Sequence, residues 1–401
     1  MMSVERLVNI ILRGTTLASK FLLIFFLARF LEPEEVGLYG LLVAALSYST
    51  YLLGLDFYTY VTREIIAHSR DDWGRVMKSQ AALSLGLYAL FIPLIMLVFV
   101  GEVLPWVLVS WFLILLVLGH INQEFMRILI AISKPLTASV ALFLRTGVWV
   151  LLVIPLMCFV PNMRKLEAVL LAWTLGEFIA FILVALIWSR MGIGGWRKSI
   201  DWVWIGKGVR VALPLLMASL AIRGIYTFDR YWLEAIAGLE VVGAYVLFIG
   251  VATAMISFLD AGVFAFSYPV LIRAFQKGDA PKYCRELKKL LLHTALLSLF
   301  FAASALLLIK YLLAWLNKPI YTLHQDMFTW IIMATVLSAL SMVPHYGLYA
   351  QSRDRPIIIS HIVGLIIFIL ATLFFIQYWP GIAIPLAVSY THLRAHETKA
   401  N

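Results

Sequence analysis

Leu166–Trp188, LEAVLLAWTLGEFIAFILVALIW, decides the fold class. Apart from Glu167 at its start and Glu177 in its middle, the stretch carries no charge. At about 1.5 Å per residue it crosses a hydrocarbon core of roughly 30 Å. Lipid offers no partner to a free N–H or C=O, so a run of this kind is a helix. Ala81–Val100 and Ile357–Ile376 are runs of the same type. The whole chain agrees with them: 63% of its residues are hydrophobic and 13% charged, too apolar for a soluble domain of 401 residues. No ten-residue alternation marks a membrane β-barrel.

The pattern predicts an all-α polytopic transmembrane bundle. The helical cores are 8–30, 37–58, 80–100, 105–123, 137–160, 166–189, 209–228, 241–262, 290–316, 328–350 and 357–378, with a twelfth starting at Gly381. Alternate loops are basic. One set holds Arg6, Arg63–Lys78, Arg127, Lys134, Arg190–Arg210, Arg273–Lys289, Arg353 and Arg355; the other holds only Arg164, Lys165, Lys310 and Lys318. This asymmetry places the N-terminus in the cytoplasm and the chain, multi-pass, in the cell inner (cytoplasmic) membrane. It also accounts for the net charge of +10 without a nucleic-acid partner. No small-residue cleavage site follows the first apolar stretch, which therefore reads as an uncleaved anchor. Cys158 and Cys284 read as unpaired thiols.

Glu34-Glu35-Val36-Gly37-Leu38-Tyr39 and Glu240-Val241-Val242-Gly243-Ala244-Tyr245 match at a spacing of 206 residues. Each opens the second helix of a six-helix block, and an even number of helices separates them. The expected architecture is two parallel, pseudo-symmetric six-helix lobes. They are residues 1–190 and 209–387, joined by a linker at 191–208, with the second lobe truncated. Val388–Thr398, VSYTHLRAHET, is similar to an in-frame translation of a transposase-type sequencing adapter. Residues 388–401 are accordingly expected not to be native, and the gene to continue beyond Ala387.

Leu27-Ala28-Arg29-Phe30-Leu31, with Val36-Gly37-Leu38-Tyr39, resembles the opening of the polysaccharide biosynthesis proteins. These are O-antigen-type flippases of the MATE-like multidrug/oligosaccharidyl-lipid/polysaccharide exporter superfamily. Asp229-Arg230-Tyr231-Trp232-Leu233 and Tyr268-Pro269, followed by basic Arg273–Lys289, are similar to segments of their second half. The resemblance runs from residue 7 to about 387. It implies twelve to fourteen helices and alternating access.

Ionisable residues at membrane depth cost about 2.5–3.5 kcal/mol each on insertion scales and face a cavity or a partner. Asn9, Arg13, Thr16 and Lys20 share one face of the first helix, as Ser219, Arg223, Tyr226 and Arg230 do in the seventh. The 206-residue shift maps Arg13 onto Ser219 and Lys20 onto Tyr226. With Arg145, these faces predict a cationic central cavity. Guanidinium groups bind phosphate oxygens in pairs, and lysine serves as a point charge. Arg13 and Lys20 have the alternative of snorkelling to headgroups. Arg230 and Asp229 have that of pairing near the outer boundary.

Glu177 and Asp56 are the candidates for coupling to H⁺ or Na⁺, the alternative for Glu177 being a structural partner for Arg145. Glu124 and Arg127 form an i, i+3 pair. His120, His345 and His361 read as packing residues, and neither a metal site nor a cofactor is expected. The functional expectation is a flippase for polyprenyl-pyrophosphate-linked oligosaccharide or repeat units. Its partners are the bilayer, the lipid-linked cargo, and polysaccharide polymerase with other assembly proteins. The alternative is a MATE-like, cation-coupled exporter of drugs or small molecules. A membrane glycosyltransferase or polymerase fits less well, because no outside loop can hold catalytic groups and no nucleotide or hydrolase motif is present.

Overall fold

The computed structural model describes residues 4–400, apart from the side chains of Val4, Arg6 and 392–400. Arg6 and most of the adapter-like tail therefore fall outside the described side chains. No strand occurs among the described residues. Among the described residues, eleven helices are long and apolar enough to cross a membrane. In chain order they are α1 (Val4–Phe30), α2 (Pro33–Gly54), α3 (Trp73–Val100), α4 (Trp106–Ala131), α5 (Pro135–Phe159) and α6 (Leu166–Ser189). There follow α7 (Trp202–Ala237), α8 (Leu239–Gln276), α9 (Ala280–Leu316), α10 (Gln325–Ala350) and α11 (Asp354–Tyr378). A further helix, α12 (Ala383–Ala400), closes the chain. The protein is a multi-pass, all-helical membrane protein.

Two helices outrun their apolar cores. α7 begins at Trp202, so residues 202–208, read from sequence as linker, form its first turns. α9 begins at Ala280, well before the expected residue 290. The Asp279 carboxylate accepts from the Lys282 backbone N–H at 3.0 Å, and Pro281 sits in the first turn. Both are start signals that hydropathy does not register.

The chain divides into two compact units. The first comprises Met1–Phe26 and Leu41–Leu220; the second comprises Leu27–Gly40 and Ala221–Asn401.

In the first unit, residues 190–201 are strapped to the start of α3. Gly74 N donates to Gly194 O at 2.9 Å, and Gly194 N to Arg70 O at 3.2 Å. The Lys78 ammonium donates to the carbonyls of Trp196 and Lys198. Arg75 pairs with Asp201 at 2.9 Å, and Lys198 with Asp72. The hydrogen bond from Lys198 holds the Asp72 carboxyl below the usual carboxylate range. Phe57 and Trp204 pack edge to face nearby, where Gly208 leaves room for the Phe57 ring.

In the second unit, the two copies of the V-G-x-Y repeat touch. A Cβ on Gly37 would lie 3.2 Å from the Leu239 carbonyl carbon and 3.3 Å from Gly243 N, with the Leu239 oxygen nearer still. A Cβ on Gly243 would lie 3.0 Å from the Pro33 carbonyl carbon, again with the oxygen nearer. Gly40 abuts Val246. The Arg29 guanidinium donates to Leu316 O at 2.7 Å and lies over the Trp315 ring. It thereby caps the last turn of α9, where cations suit both the free carbonyls and the helix dipole. Lys318 donates back to Leu31 O.

Candidate functional site

Four helices of the first unit bring charged and amide side chains together. α1 supplies Lys20, within electrostatic reach of Arg145 and Glu177. α5 supplies Arg145 from a wide, π-helical turn at Leu144–Val148, a distortion common at functional positions. α6 supplies Glu177, whose Oε1 accepts from Arg145 Nη2 at 2.9 Å and Nε at 3.1 Å. α4 supplies Asn122, whose Nδ2 donates to Glu177 Oε2 at 2.7 Å and to the Glu177 carbonyl at 2.8 Å. Gly119, one turn before, leaves space beside the guanidinium: a Cβ there would stand 3.6 Å from Arg145 Nη2. Glu177 is only 2% exposed, and its two oxygens are both engaged. A buried carboxylate so held is a fixed counter-ion.

The remaining α1 residues extend the cluster. Arg13 Nε donates to Ser139 Oγ of α5 at 3.1 Å. Asn9 Oδ1 and Asn122 Oδ1 are buried acceptors with no hydrogen-bond partner among the described residues. Thr16 turns inward onto Leu12 O, so the predicted four-residue face is only partly polar. Arg13 and Lys20 are exposed although both lie within the apolar span. Lys20 stands roughly 20 Å along the axis from Leu7 and roughly 15 Å from Phe30 at about 1.5 Å per residue. That is near the middle of the apolar span. Lys20 and Arg145 face one carboxylate, Glu177, and the excess is positive.

Asp56 does not join this group. It sits in the turn after α2, at a left-handed φ of 49°, and acts electrostatically on Glu124. Glu124 pairs with Arg127 and accepts from Gln80 Nε2 at 2.8 Å; Arg127 lies 3.6 Å from the centroid of the Tyr58 ring. His120 meets the Tyr88 hydroxyl at 2.6 Å. This second buried network was legible only as the Glu124–Arg127 spacing.

The α7 candidates are dispersed. Ser219 and Arg223 are half-buried. The Tyr226 hydroxyl lies 3.5 Å from Ser338 Oγ, and Arg230 Nη1 donates to Gly40 O at 3.3 Å. Asp229 makes no hydrogen bond or ion pair with the Arg230 guanidinium among the described residues. It is buried, accepts from Tyr245 at 2.7 Å, and receives the Arg230 backbone N–H. Tyr226, Asp229 and Tyr245 line a cavity of about 520 Å³ inside the second unit, with Ser338, His345 and His361. The two imidazoles stack with centroids 5.9 Å apart. Sequence reading treated both histidines as packing; their convergence depends on the register between α10 and α11, which composition does not report.

Residues 7–275 match the polysaccharide biosynthesis protein family. The chain belongs to that family. No curated protein sequence matches it. Among solved structures it is similar to an inward-facing multidrug resistance MATE family transporter of the MOP superfamily. That match has a TM-score of 0.75 and 16% identity, covering 100% of this chain and 97% of the other. The outward-facing conformation of a multidrug resistance MATE family transporter matches with a TM-score of 0.61 and 16% identity, over 98% and 92%. MATE in the straight conformation matches with a TM-score of 0.59 and 16% identity, over 98% and 95%. The fold is MATE-like. Family and fold are those of membrane exporters and flippases and not of enzymes.

Proposed function

We propose that this member of the polysaccharide biosynthesis protein family is a flippase. Its cargo is an oligosaccharide or repeat unit carried on polyprenyl pyrophosphate, moved across the inner membrane by alternating access, with the N-terminus cytoplasmic. The observation that carries the reading is Lys20: a cation exposed at mid-span, within electrostatic reach of Arg145 and Glu177, with Arg13 two turns earlier on the same helix. A charge at that depth is tolerated where it faces water, and an excess of cations favours an anion. A pyrophosphate at the lipid–sugar junction supplies one. Arg145 offers a fork that Glu177 keeps oriented, and Lys20 a mobile point charge. Polymerases and other assembly proteins are the natural acceptors of such a cargo.

The test is translocation of a fluorescent lipid-linked oligosaccharide in proteoliposomes. Lys20→Ala is expected to lose transport at unchanged protein level, and Lys20→Arg to retain it. Normal transport by an Arg13→Ala/Lys20→Ala double variant overturns the cationic mechanism. A second reading, a cation-coupled exporter of small molecules, has the buried Asp229 and the 520 Å³ cavity of the second unit in its favour. Uptake of an organic cation that is abolished by Asp229→Asn, with lipid-linked cargo unmoved, would favour it.

A further inference from the structure

The first turns of α9 carry a basic face that neither the transport reading nor the cation cluster of the first unit uses. Helical spacing puts Pro281, Cys284, Arg285, Lys288 and Leu292 on one side. These residues, with Lys289, line a groove of about 420 Å³. The opposite side is packed: the Tyr283 hydroxyl donates to Gly347 O at 3.0 Å and accepts from Gln351 Nε2 at 3.0 Å, and Leu287 also lies against Gly347. The basic side therefore points away from the unit's interior, and Cys284, Arg285 and Lys288 are exposed.

Acid is scarce on this face. Glu286 is shared between Lys289, at 3.0 Å, and Arg285, at 3.9 Å. The Asp279 side chain is taken by the backbone N–H of Lys282. Lys288 has no carboxylate within ion-pair distance among the described residues. Beyond Leu292 the same outward side is apolar, with Leu296, Leu299, Phe300 and Leu307 all more than half exposed. A single helix thus presents two basic turns followed directly by a long apolar flank. This order reproduces, along one line, the chemistry of a phospholipid: an anionic headgroup and then acyl chain.

We propose that this face holds an anionic phospholipid. The phosphate sits between Arg285 and Lys288, and the acyl chains lie along Leu292, Leu296 and Leu299. Arginine supplies paired N–H donors to phosphate oxygens, while lysine supplies a point charge. The groove next to Leu292 gives the glycerol backbone a place at the junction. Basic residues beside a membrane attract anionic surfaces in general. The distinguishing feature here is the uninterrupted passage from cations to exposed leucines on one helical face.

The experiment is native mass spectrometry of the detergent-purified full chain titrated with phosphatidylglycerol, phosphatidylcholine or free glycerol 3-phosphate. Wild-type protein is expected to retain phosphatidylglycerol preferentially, with retention falling as salt rises. Arg285→Ala/Lys288→Ala is expected to weaken retention on the order of 10- to 30-fold. Arg285→Lys/Lys288→Arg is expected to keep most of it, and Lys310→Ala, at the other end of α9, to change nothing. Equal retention of phosphatidylcholine overturns the proposal. So does undiminished retention by the double alanine variant. Binding of glycerol 3-phosphate as tight as that of the lipid also overturns it, because the apolar flank would then contribute nothing.

Discussion

A methyl group added at Gly37 or Gly243 tests the seam where the two repeat copies meet. In an ordinary helix interior, Gly→Ala stabilises by about 0.5–1 kcal/mol, because alanine has less backbone freedom to lose. Here the sign should reverse. The new Cβ at Gly37 would stand 3.2 Å from the Leu239 carbonyl carbon, and that at Gly243 3.0 Å from the Pro33 carbonyl carbon, with both oxygens nearer still. Carbon–oxygen contacts settle at roughly 3.3–3.6 Å. The crossing must therefore open by something on the order of 1 Å, and overpacking of this kind costs about 1–3 kcal/mol. Net of the backbone gain, each substitution should destabilise by about 1–2 kcal/mol. One opening relieves both clashes, so the double variant should cost clearly less than the sum of the singles. The assay is thermal unfolding of purified protein in detergent, with Gly14→Ala as control, since a Cβ there meets nothing within 4 Å. The control should be neutral or stabilised. If Gly37→Ala and Gly243→Ala behave like Gly14→Ala, or if their effects simply add, the close crossing is refuted.

Other perturbations have equally definite outcomes. Glu177→Ala leaves Arg145 buried without its counter-ion and should destabilise by about 3–5 kcal/mol, whereas Arg145→Met/Glu177→Leu should recover most of that loss; detergent melting curves of the pair decide it. Asn122→Leu removes both amide bonds to Glu177 and should destabilise by about 1–3 kcal/mol, measured in the same way. The Asp72–Lys198 link depends on an ionised carboxylate whose pKa is lowered in the folded protein. Its contribution is present above the unfolded value of about 3.9 and fades as pH falls through the lower, folded one. At neutral pH, Asp72→Asn should therefore speed tryptic cleavage at Arg197 and Lys198, and an unchanged cleavage rate would count against the strap.

The eleven spans were legible because a bilayer imposes one length and one composition on every crossing. The repeat was legible because its glycines cannot be replaced where backbones cross closely. Arg145 and Glu177 could be named, and their pairing stood as one of two readings, since rare charges at membrane depth need partners. Asn122 escaped notice: a lone amide in α4 carries no charge and no spacing signal. The wide turn at Leu144–Val148 also left no mark, because nothing in Leu-Arg-Thr-Gly-Val separates a π-helical turn from an α-helical one. The early starts of α7 and α9 were hidden for a different reason. Hydropathy measures what a membrane accepts, while capping and proline position decide where a helix begins. The burial of Asp229 was not legible, because a position near a helix end suggests exposure and only the hydrogen bond from Tyr245 reveals its surroundings.

The seam has one more implication. Pro33, Gly37 and Gly40 become Leu239, Gly243 and Val246 under the 206-residue shift, and the contacts run Gly37 to Leu239, Gly243 to Pro33, Gly40 to Val246. Each residue meets its own counterpart or its counterpart's neighbour by a reciprocal rule. This is the pattern of an isologous interface, the kind by which identical subunits recognise each other, folded into a single chain. The two copies are consequently not free to drift apart. Gly40 can remain a glycine opposite a valine, but a side chain at Gly37 or Gly243 must be matched by a retreat across the seam. Such a seam imposes a constraint that acts on pairs of positions rather than on single ones.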